Sequence, residues 1–201
     1  MPIDNAYKSG NTLFSRASSE CIIRGKNNNP GVDADTDNVD GGICSGITSA
    51  WIVSLLNANK VPECRDTAKF AGHFDVLRFH GAYFKELHGT SEVHLEKLSG
   101  ALVVNGVKAG KVQGRPFTLD QMPEAGWWAG YVSMKGHAIA VGKFEGFHHI
   151  MEPNFGLFTY RTGANFIEDL NQEIETYMGM RGKQGDATIY LYRRASGGTV
   201  S

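Results

Sequence analysis

The stretch GGICSGITSAWI, residues 41–52, joins a Gly-Gly turn to the start of an apolar helical pattern. Within and beyond it, Ile47, Trp51 and Leu55 recur at every fourth position. This spacing is typical of a helix that buries one face against a core. We therefore predict a buried helix over residues 44–58, and this helix decides the fold because the rest of the domain must pack against it.

Cys44 stands at the predicted start of this helix, directly after the two glycines. The first N–H groups of a helix have no carbonyl partner within it and lie at the positive end of the helix dipole. Such a setting favours the thiolate, which is the nucleophilic form of cysteine. The glycines also let a substrate approach the backbone closely. Taken alone, the pattern is equally typical of an inert buried cysteine, since free cysteines are among the most buried residues.

The second half of the chain changes from a helical to a strand-like pattern. Short runs rich in aromatic and β-branched residues are separated by Gly, Pro or Asn, which is typical of antiparallel strands. The order of helices first and strands later predicts an α+β domain with its helices packed on one side of an antiparallel sheet. The predicted strands are 127–135, 137–144, 147–151, 157–161 and 187–193, and the further predicted helices begin after Pro62, at about residue 91 and after Thr162, the last ending at about Met180.

The segment KGHAIAVGKF, residues 135–144, carries a candidate general base. In an extended conformation His137 shares one face with Ile139 and Val141, while the opposite face carries only Gly and Ala. A histidine that leads an apolar strand face lies at the edge of the core, where it can meet the start of a helix. For a lone histidine a half-buried structural role is the simpler interpretation, but the small opposite face favours a functional role for His137.

The segment MEPNFGLF, residues 151–158, follows the histidine closely. Glu152 and Asn154 alternate along it, so both can point to the same side of an extended chain. A hairpin with the strand of His137 would place one of them next to the imidazole, where it would hold the tautomer that presents the other ring nitrogen to a thiol. The alternative is a simple turn, because Pro, Asn and Gly are turn residues.

Together these three segments resemble the YopT/AvrPphB family of papain-like cysteine proteases, which are bacterial effectors injected into host cells. The family has a helix start of the form G-x-C-x-x-L/I-S/T-x-x-W-I, a strand with H-A-[IV], and a D-P-N-x-G-x-F segment. The matching stretches here are residues 42–52, 137–139 and 152–158. The resemblance implies a papain-like fold, with the nucleophile helix packed against an antiparallel sheet. It further implies a protease domain over residues 38–201, preceded by a flexible polar segment, 1–37.

The resemblance assigns Cys44 as nucleophile and His137 as general base, but this chain departs from the family at the third catalytic position. Glu152 stands where the family has Asp; it keeps the charge and is one methylene longer. Glu152 is our choice for the residue that orients the histidine. Asn154 is the alternative orienting residue, as an Asn serves in papain. A compromised triad, in a weak or inactive enzyme, is the third interpretation.

An oxyanion hole is also implied by the resemblance. In papain-like enzymes the backbone N–H of the cysteine acts together with a polar side chain a few residues upstream. Asn38 is the best candidate for that side chain because its amide can donate a hydrogen bond. The neighbouring aspartates cannot donate when ionised. The expected oxyanion hole therefore consists of the Cys44 N–H and the Asn38 side chain.

Composition argues against several other classes of function. The 20 Lys and Arg nearly balance the 21 Asp and Glu, so no overall field favours nucleic acid as a partner. The three cysteines, Cys21, Cys44 and Cys64, are odd in number and form no CxxC pair, which argues against a disulfide framework and a structural zinc site. We expect neither a metal nor a cofactor. No stretch approaches the roughly 18 apolar residues of a transmembrane helix, so we expect no integral membrane segment.

The first twenty residues lack the apolar core of a secretory signal. Together with the resemblance, this predicts secretion without a signal peptide, by a type III-like route, into the host cell cytoplasm. The expected substrate is a host signalling protein, and the expected state is a monomer. Two alternatives stay open at this point. One is another acyl-transfer enzyme on the same scaffold, a transglutaminase or deamidase; the other is a catalytically impaired binding module.

Overall fold

The computed structural model describes residues 12–15, 44–57, 106–134, 137–153, 156–180 and 186–195. Within these ranges the chain forms two α-helices, seven strands and a short 3₁₀ helix, Leu119–Gln121. In chain order the helices and strands are β1 (Thr12–Ser15), α1 (Cys44–Asn57), β2 (Gly106–Gln113), β3 (Trp128–Met134), β4 (His137–Phe144), β5 (Phe147–Glu152), β6 (Gly156–Tyr160), α2 (Gly163–Met180) and β7 (Thr188–Arg194).

The strands form one sheet in the order β1-β6-β5-β4-β3-β7-β2, and every neighbouring pair is antiparallel. Strands β3 to β6 follow one another as a meander. The β4–β5 turn is formed by Glu145 (φ 47°) and Gly146 (φ 80°), both in the left-handed region. Two such residues are the signature of a tight hairpin turn whose twist matches that of the flanking strands. This turn sets the register that brings Met151 opposite Ala140.

The sheet is covered on both faces, one by each helix. The apolar residues of α1 cluster with Ala138 and Ala140 of β4. The apolar residues of α2 cluster with Ile139 and Val141, which alternate with these two alanines along β4. Since successive residues of a strand point to opposite faces, α1 and α2 lie on opposite sides of the sheet. The expectation that the helices pack on one side was therefore wrong. The physical reason is that both faces of β4 are apolar, so each requires a cover.

Small residues on one face of β4 allow α1 to approach the sheet closely. A Cβ atom added at Gly142 would lie 2.9 Å from Cη2 of Trp51 and 2.9 Å from the carbonyl oxygen of Trp128. Both tryptophans are fully buried. Burial of a large apolar side chain of this kind contributes about 1.5–3 kcal/mol to stability. The close contact at Gly142 thus fixes how α1 lies on the sheet, and with it where the start of α1 falls.

The α+β class and the packing of α1, the helix that begins at Cys44, against an antiparallel sheet are confirmed. Helix α1 and the predicted strands and helix of residues 127–193 are present, with ends shifted by a residue or so. Strands β1 and β2 were not predicted, and they form the two edges of the sheet. The helices predicted after Pro62 and near residue 91 lie outside the described residues, and the division at residue 38 stays a prediction.

Candidate active site

Cys44 is the first residue of α1, as predicted, and is 8% exposed. The start of the helix is tied to the strand of the histidine by a buried hydrogen bond. The hydroxyl of Thr48 donates to the carbonyl oxygen of Ala138 over 3.1 Å. Thr48 lies one helical turn after Cys44 and Ala138 directly follows His137. The bond therefore links the two elements next to both candidate catalytic residues.

His137 is the first residue of β4, so its ring lies at the end of the sheet, where the start of α1 can reach it. Strand alternation places its side chain on the same face as Ile139 and Val141. The imidazole is buried, and its Nε2 atom lies 2.5 Å from Oε1 of Glu152. The ring thus has a fixed polar partner on one edge.

Glu152 is the last residue of β5 and is completely buried. Glu152 lies two residues after Ile150, so the two side chains point to the same face of the sheet. Ile150 belongs to the cluster on the α2 face, and this is the face that carries His137. Because Met151 lies opposite Ala140, Glu152 lies just beyond the paired part of β4 and beside its first residues. A hydrogen bond between a carboxylate and a ring N–H is of the strong, charge-assisted kind.

The thiol of Cys44 is hydrogen-bonded to His137 as well. Since Nε2 is engaged by Glu152, we assign Nδ1 as the nitrogen that faces the thiol. Sulfur, imidazole and carboxylate therefore follow one another in a row. A ring held between a thiol and a carboxylate can take a proton from the first while the second stabilises the charge it gains.

The surroundings of His137 alter its acidity. Burial lowers the pKa of its imidazole, but the hydrogen bonds to Cys44 and Glu152 and the charges of these two partners outweigh burial. Together they raise the pKa from 6.5 to about 10. The ring therefore holds a proton at neutral pH, and an imidazolium next to a sulfur favours the thiolate electrostatically.

His148 shows what burial does without such partners. Its ring stacks on Phe166 of α2 with 5.1 Å between centroids and an interplanar angle of 24°. Its Nδ1 has no hydrogen-bond partner among the described residues. Burial, aided by the charge of Lys143, lowers the pKa of His148 from 6.5 to about 4. The opposite shift at His137 is thus caused by its two partners and not by packing.

Tyr177, in the last part of α2, stacks on His137 with 4.6 Å between ring centroids and an interplanar angle of 23°. Neither this contact nor the hydrogen bond from Thr48 was predicted from the sequence. Tyr177 continues the apolar stripe of Phe166, Leu170 and Ile174 and cannot be told from a core residue by spacing alone. The useful signal for Thr48 is its position one turn after Cys44, on the same side of the helix.

The remaining predicted site residues are not described. Asn38 and Asn154 lie outside the described residues, so the oxyanion side chain and the alternative orienting residue stay predictions, as do all the catalytic roles. Across the described ranges no group of three or more His, Cys, Asp or Glu side chains is arranged to hold a metal ion. In the same part of the chain, neither helix is both long and apolar enough to cross a membrane.

No family model matches the chain, and no curated protein is significantly similar to it in sequence. Solved structures that resemble it in fold include the following two. The avirulence protein AvrPphB of Pseudomonas has a TM-score of 0.50 at 15% identity, over 75% of this chain and 90% of that one. PatoxP, a cysteine protease-like domain of the Photorhabdus asymbiotica toxin PaTox, has a TM-score of 0.47 at 9% identity, over 94% of this chain and 56% of that one. Together with the helix and sheet described above, the likeness to AvrPphB shows an α+β, papain-like fold.

Proposed function

We propose that the protein is a papain-like cysteine endopeptidase in which Cys44 is the nucleophile, His137 the general base and Glu152 the orienting residue. The observation that carries this proposal is the buried imidazole of His137, held between a thiol and a carboxylate. Neither contact is needed to fill the core, and a buried ion pair is a costly way to stabilise a fold. Catalysis accounts for the arrangement, because a thiolate–imidazolium pair is the reactive form of a cysteine protease.

In the proposed reaction the thiolate of Cys44 attacks the carbonyl carbon of a peptide bond, and the carbonyl oxygen becomes an oxyanion. The backbone N–H of Cys44 and the side chain of Asn38 donate hydrogen bonds to that oxygen. The imidazolium of His137 gives its proton to the leaving amine as the C–N bond breaks. His137 then takes a proton from water, which hydrolyses the thioester and returns the sulfur to its thiolate form.

Glu152 keeps the ring of His137 in place through both proton transfers. Its carboxylate accepts the hydrogen bond from Nε2, which leaves Nδ1 to exchange protons with sulfur, amine and water. A negative charge in this position also stabilises the imidazolium. The extra methylene of Glu relative to Asp is no obstacle, since the carboxylate reaches the ring at 2.5 Å.

The proposed substrate is a host signalling protein, cleaved by a monomer after type III-like secretion into the host cell cytoplasm. Support for this part comes from the motif resemblance and from the likeness in fold to AvrPphB, which is an avirulence protein. The near-balance of charges gives no reason to add nucleic acid as a partner.

A peptide that carries a thiol-reactive group tests the proposal at neutral pH. Cys44 should be labelled faster than Cys21 and Cys64, and His137→Ala should abolish the difference because it removes the proton acceptor. Labelling of Cys44 no faster than that of Cys21 would contradict the proposal and would favour a binding module. A product in which glutamine is modified and no new N-terminus appears would instead indicate a deamidase or transglutaminase.

A further inference from the structure

The faces of the His137 ring are not used by its two hydrogen bonds. Bonds to the nitrogens of an imidazole lie in the plane of the ring, so Cys44 and Glu152 act on its edge. Rotation of the ring about its bond to the rest of the side chain would move both nitrogens away from their partners. The orientation of the plane is therefore a separate requirement, which a group packed on the face of the ring has to meet.

Tyr177 of α2 packs on the face of the His137 ring and so meets this requirement. Its ring lies nearly parallel to that of His137, at 23°, and the centroids are 4.6 Å apart. Tyr177 is itself only 8% exposed, because it is held in the cluster between α2 and the sheet. A large, buried aromatic side chain stacked on this face opposes rotation of the imidazole.

The contact also suits the charged form of the histidine. The face of an aromatic ring carries negative electrostatic potential and attracts a cation. His137 is protonated at neutral pH, so the stack with Tyr177 favours the imidazolium that the reaction uses. An aliphatic side chain of similar size would bury the ring equally well but would supply neither a flat surface nor this attraction.

We propose that Tyr177 is a positioning residue whose stacked ring fixes the plane of His137, so that its two nitrogens reach Cys44 and Glu152 at the same time. This inference rests on the proposed function. It adds a fourth residue to the proposed site, contributed by α2, which covers the face of the sheet opposite α1. Tyr177 acts through the ring of His137.

The protein contains a matched control for the test. Phe166 lies near the start of the same helix and stacks on His148 at 24°, with 5.1 Å between centroids. Phe166 and His148 are both buried, as are Tyr177 and His137. His148 lies near the opposite end of β5 from Glu152. Phe166→Leu therefore removes the same kind of contact, at a comparable cost in stability, without touching the proposed site.

The experiment compares Tyr177→Leu, Tyr177→Phe and Phe166→Leu with the wild-type protein. We expect Tyr177→Leu to lower kcat roughly ten- to a hundredfold with little change in KM, since the ring of His137 loses its orientation. Tyr177→Phe should keep kcat near the wild-type value because it keeps the stack. Phe166→Leu should lower the melting temperature as much as Tyr177→Leu does while leaving kcat unchanged.

Nuclear magnetic resonance of the His137 ring gives a second readout that needs no activity. The titration midpoint of His137 should fall in Tyr177→Leu and stay unchanged in Tyr177→Phe. A wild-type protein that cleaves nothing would contradict the proposed function, but the titration would still test the role of Tyr177. If Tyr177→Leu does not fold, Tyr177→Met takes its place.

The proposal is overturned if the folded Leu or Met variant keeps the wild-type titration midpoint and kcat. It is also overturned if Phe166→Leu lowers kcat as much as Tyr177→Leu, because the effect would then follow loss of stability alone.

Discussion

The hydroxyl of Thr48 donates a buried hydrogen bond to the carbonyl oxygen of Ala138 across 90 residues of sequence. Its two ends lie beside the two residues that matter most for the proposed reaction. Cys44 is one turn before Thr48, and His137 is the residue before Ala138. The relative position of sulfur and imidazole therefore depends on this bond as well as on the packing of α1 against the sheet.

Thr48→Val should remove the bond while keeping the shape of the side chain. Loss of one buried hydrogen bond is expected to lower the free energy of unfolding by about 1–2 kcal/mol. Because the start of α1 is then held less firmly, kcat should fall by roughly a factor of ten, whereas Thr48→Ser should retain most of it. Chemical denaturation and peptide cleavage measure the two effects.

Ser49→Ala is the matched control for Thr48→Val. Ser49 is buried on the same helix, but its hydroxyl donates to the carbonyl oxygen of Ser45 within α1, at 2.6 Å. Its loss should leave the contact between helix and strand intact and kcat near the wild-type value. Equal effects of the two substitutions on kcat would argue against a special role of the bond between Thr48 and Ala138.

Substitution of Glu152 tests the third position of the proposed triad. Glu152→Gln keeps a hydrogen-bonding group but removes the charge, so the pKa of His137 should fall toward its ordinary value. We expect kcat/KM to fall by roughly a hundredfold or more in Glu152→Gln and Glu152→Ala, and less in Glu152→Asp. Steady-state kinetics at neutral pH measure this series.

Asn154→Ala provides the comparison for Glu152→Ala, since Asn154 is the other candidate for the orienting role. Because Glu152 already contacts Nε2 of His137, Asn154→Ala should lower activity less than Glu152→Ala does. The reverse order of the two effects would transfer the orienting role to Asn154.

Much of this site was accessible from sequence because its residues belong to regular elements. His137 is spaced by two from Ile139, as Glu152 is from Ile150. This spacing fixes which face of the sheet each side chain takes once the strands are recognised. The tight β4–β5 turn then brings the two residues together. Sequence could not reveal that α2 crosses the other face of the sheet, because the pattern of a strand that is apolar on both sides does not say which helix covers which face.

The pH dependence of stability should carry the signature of His137. Its pKa is raised in the folded protein, from 6.5 to about 10, so its stabilising effect is fully present below about pH 6.5 and is lost as the pH rises through about 10. The free energy of unfolding should therefore decrease across this window in the wild-type protein. His137→Gln should be less stable at neutral pH and should show a flatter dependence.

Loss of the proton from His137 should also lower activity at alkaline pH. The proposed reaction needs the proton on His137, so kcat/KM should decline as the pH approaches about 10. An alkaline decline centred near pH 6.5, the ordinary pKa of histidine, would show that Cys44 and Glu152 do not hold the proton on the ring as described.

Gly142→Ala tests whether the packing of α1 against β4 positions Cys44 in the proposed site. The added Cβ would lie 2.9 Å from Trp51 and 2.9 Å from the carbonyl oxygen of Trp128, so α1 has to move away from the sheet. We expect a loss of roughly 1–3 kcal/mol in the free energy of unfolding, together with lower kcat, as Cys44 moves with its helix. Thermal unfolding and cleavage assays report the two effects.

Gly110→Ala is the control for Gly142→Ala. Gly110 lies in the edge strand β2, and a Cβ atom there would meet nothing within 4 Å. Both the free energy of unfolding and kcat should stay near their wild-type values. A loss at Gly110 equal to that at Gly142 would show that the effect is a general one of replacing strand glycines.

The edge strand that contains Gly110 also shows where sequence reasoning fails. The segment GVKAGKVQ of β2 has neither aromatic residues nor a continuous apolar face, and most of its side chains are exposed. It is a strand because β7 pairs with it on both sides of an irregularity between Lys108 and Gly110, and that pairing joins residues far apart in the chain. The contact of Tyr177 with His137 has the same origin, since it depends on how α2 crosses the sheet.

In the proposed function Cys44, activated by His137, cleaves peptide bonds in host proteins. The most direct measurement is a proteome-wide search for new N-termini in host cell lysate treated with the wild-type protein, Cys44→Ala or His137→Ala. We expect new N-termini with the wild-type protein that are absent with both variants, although both variants are folded by circular dichroism. The same new N-termini with folded Cys44→Ala, or none with the wild-type protein, would contradict it.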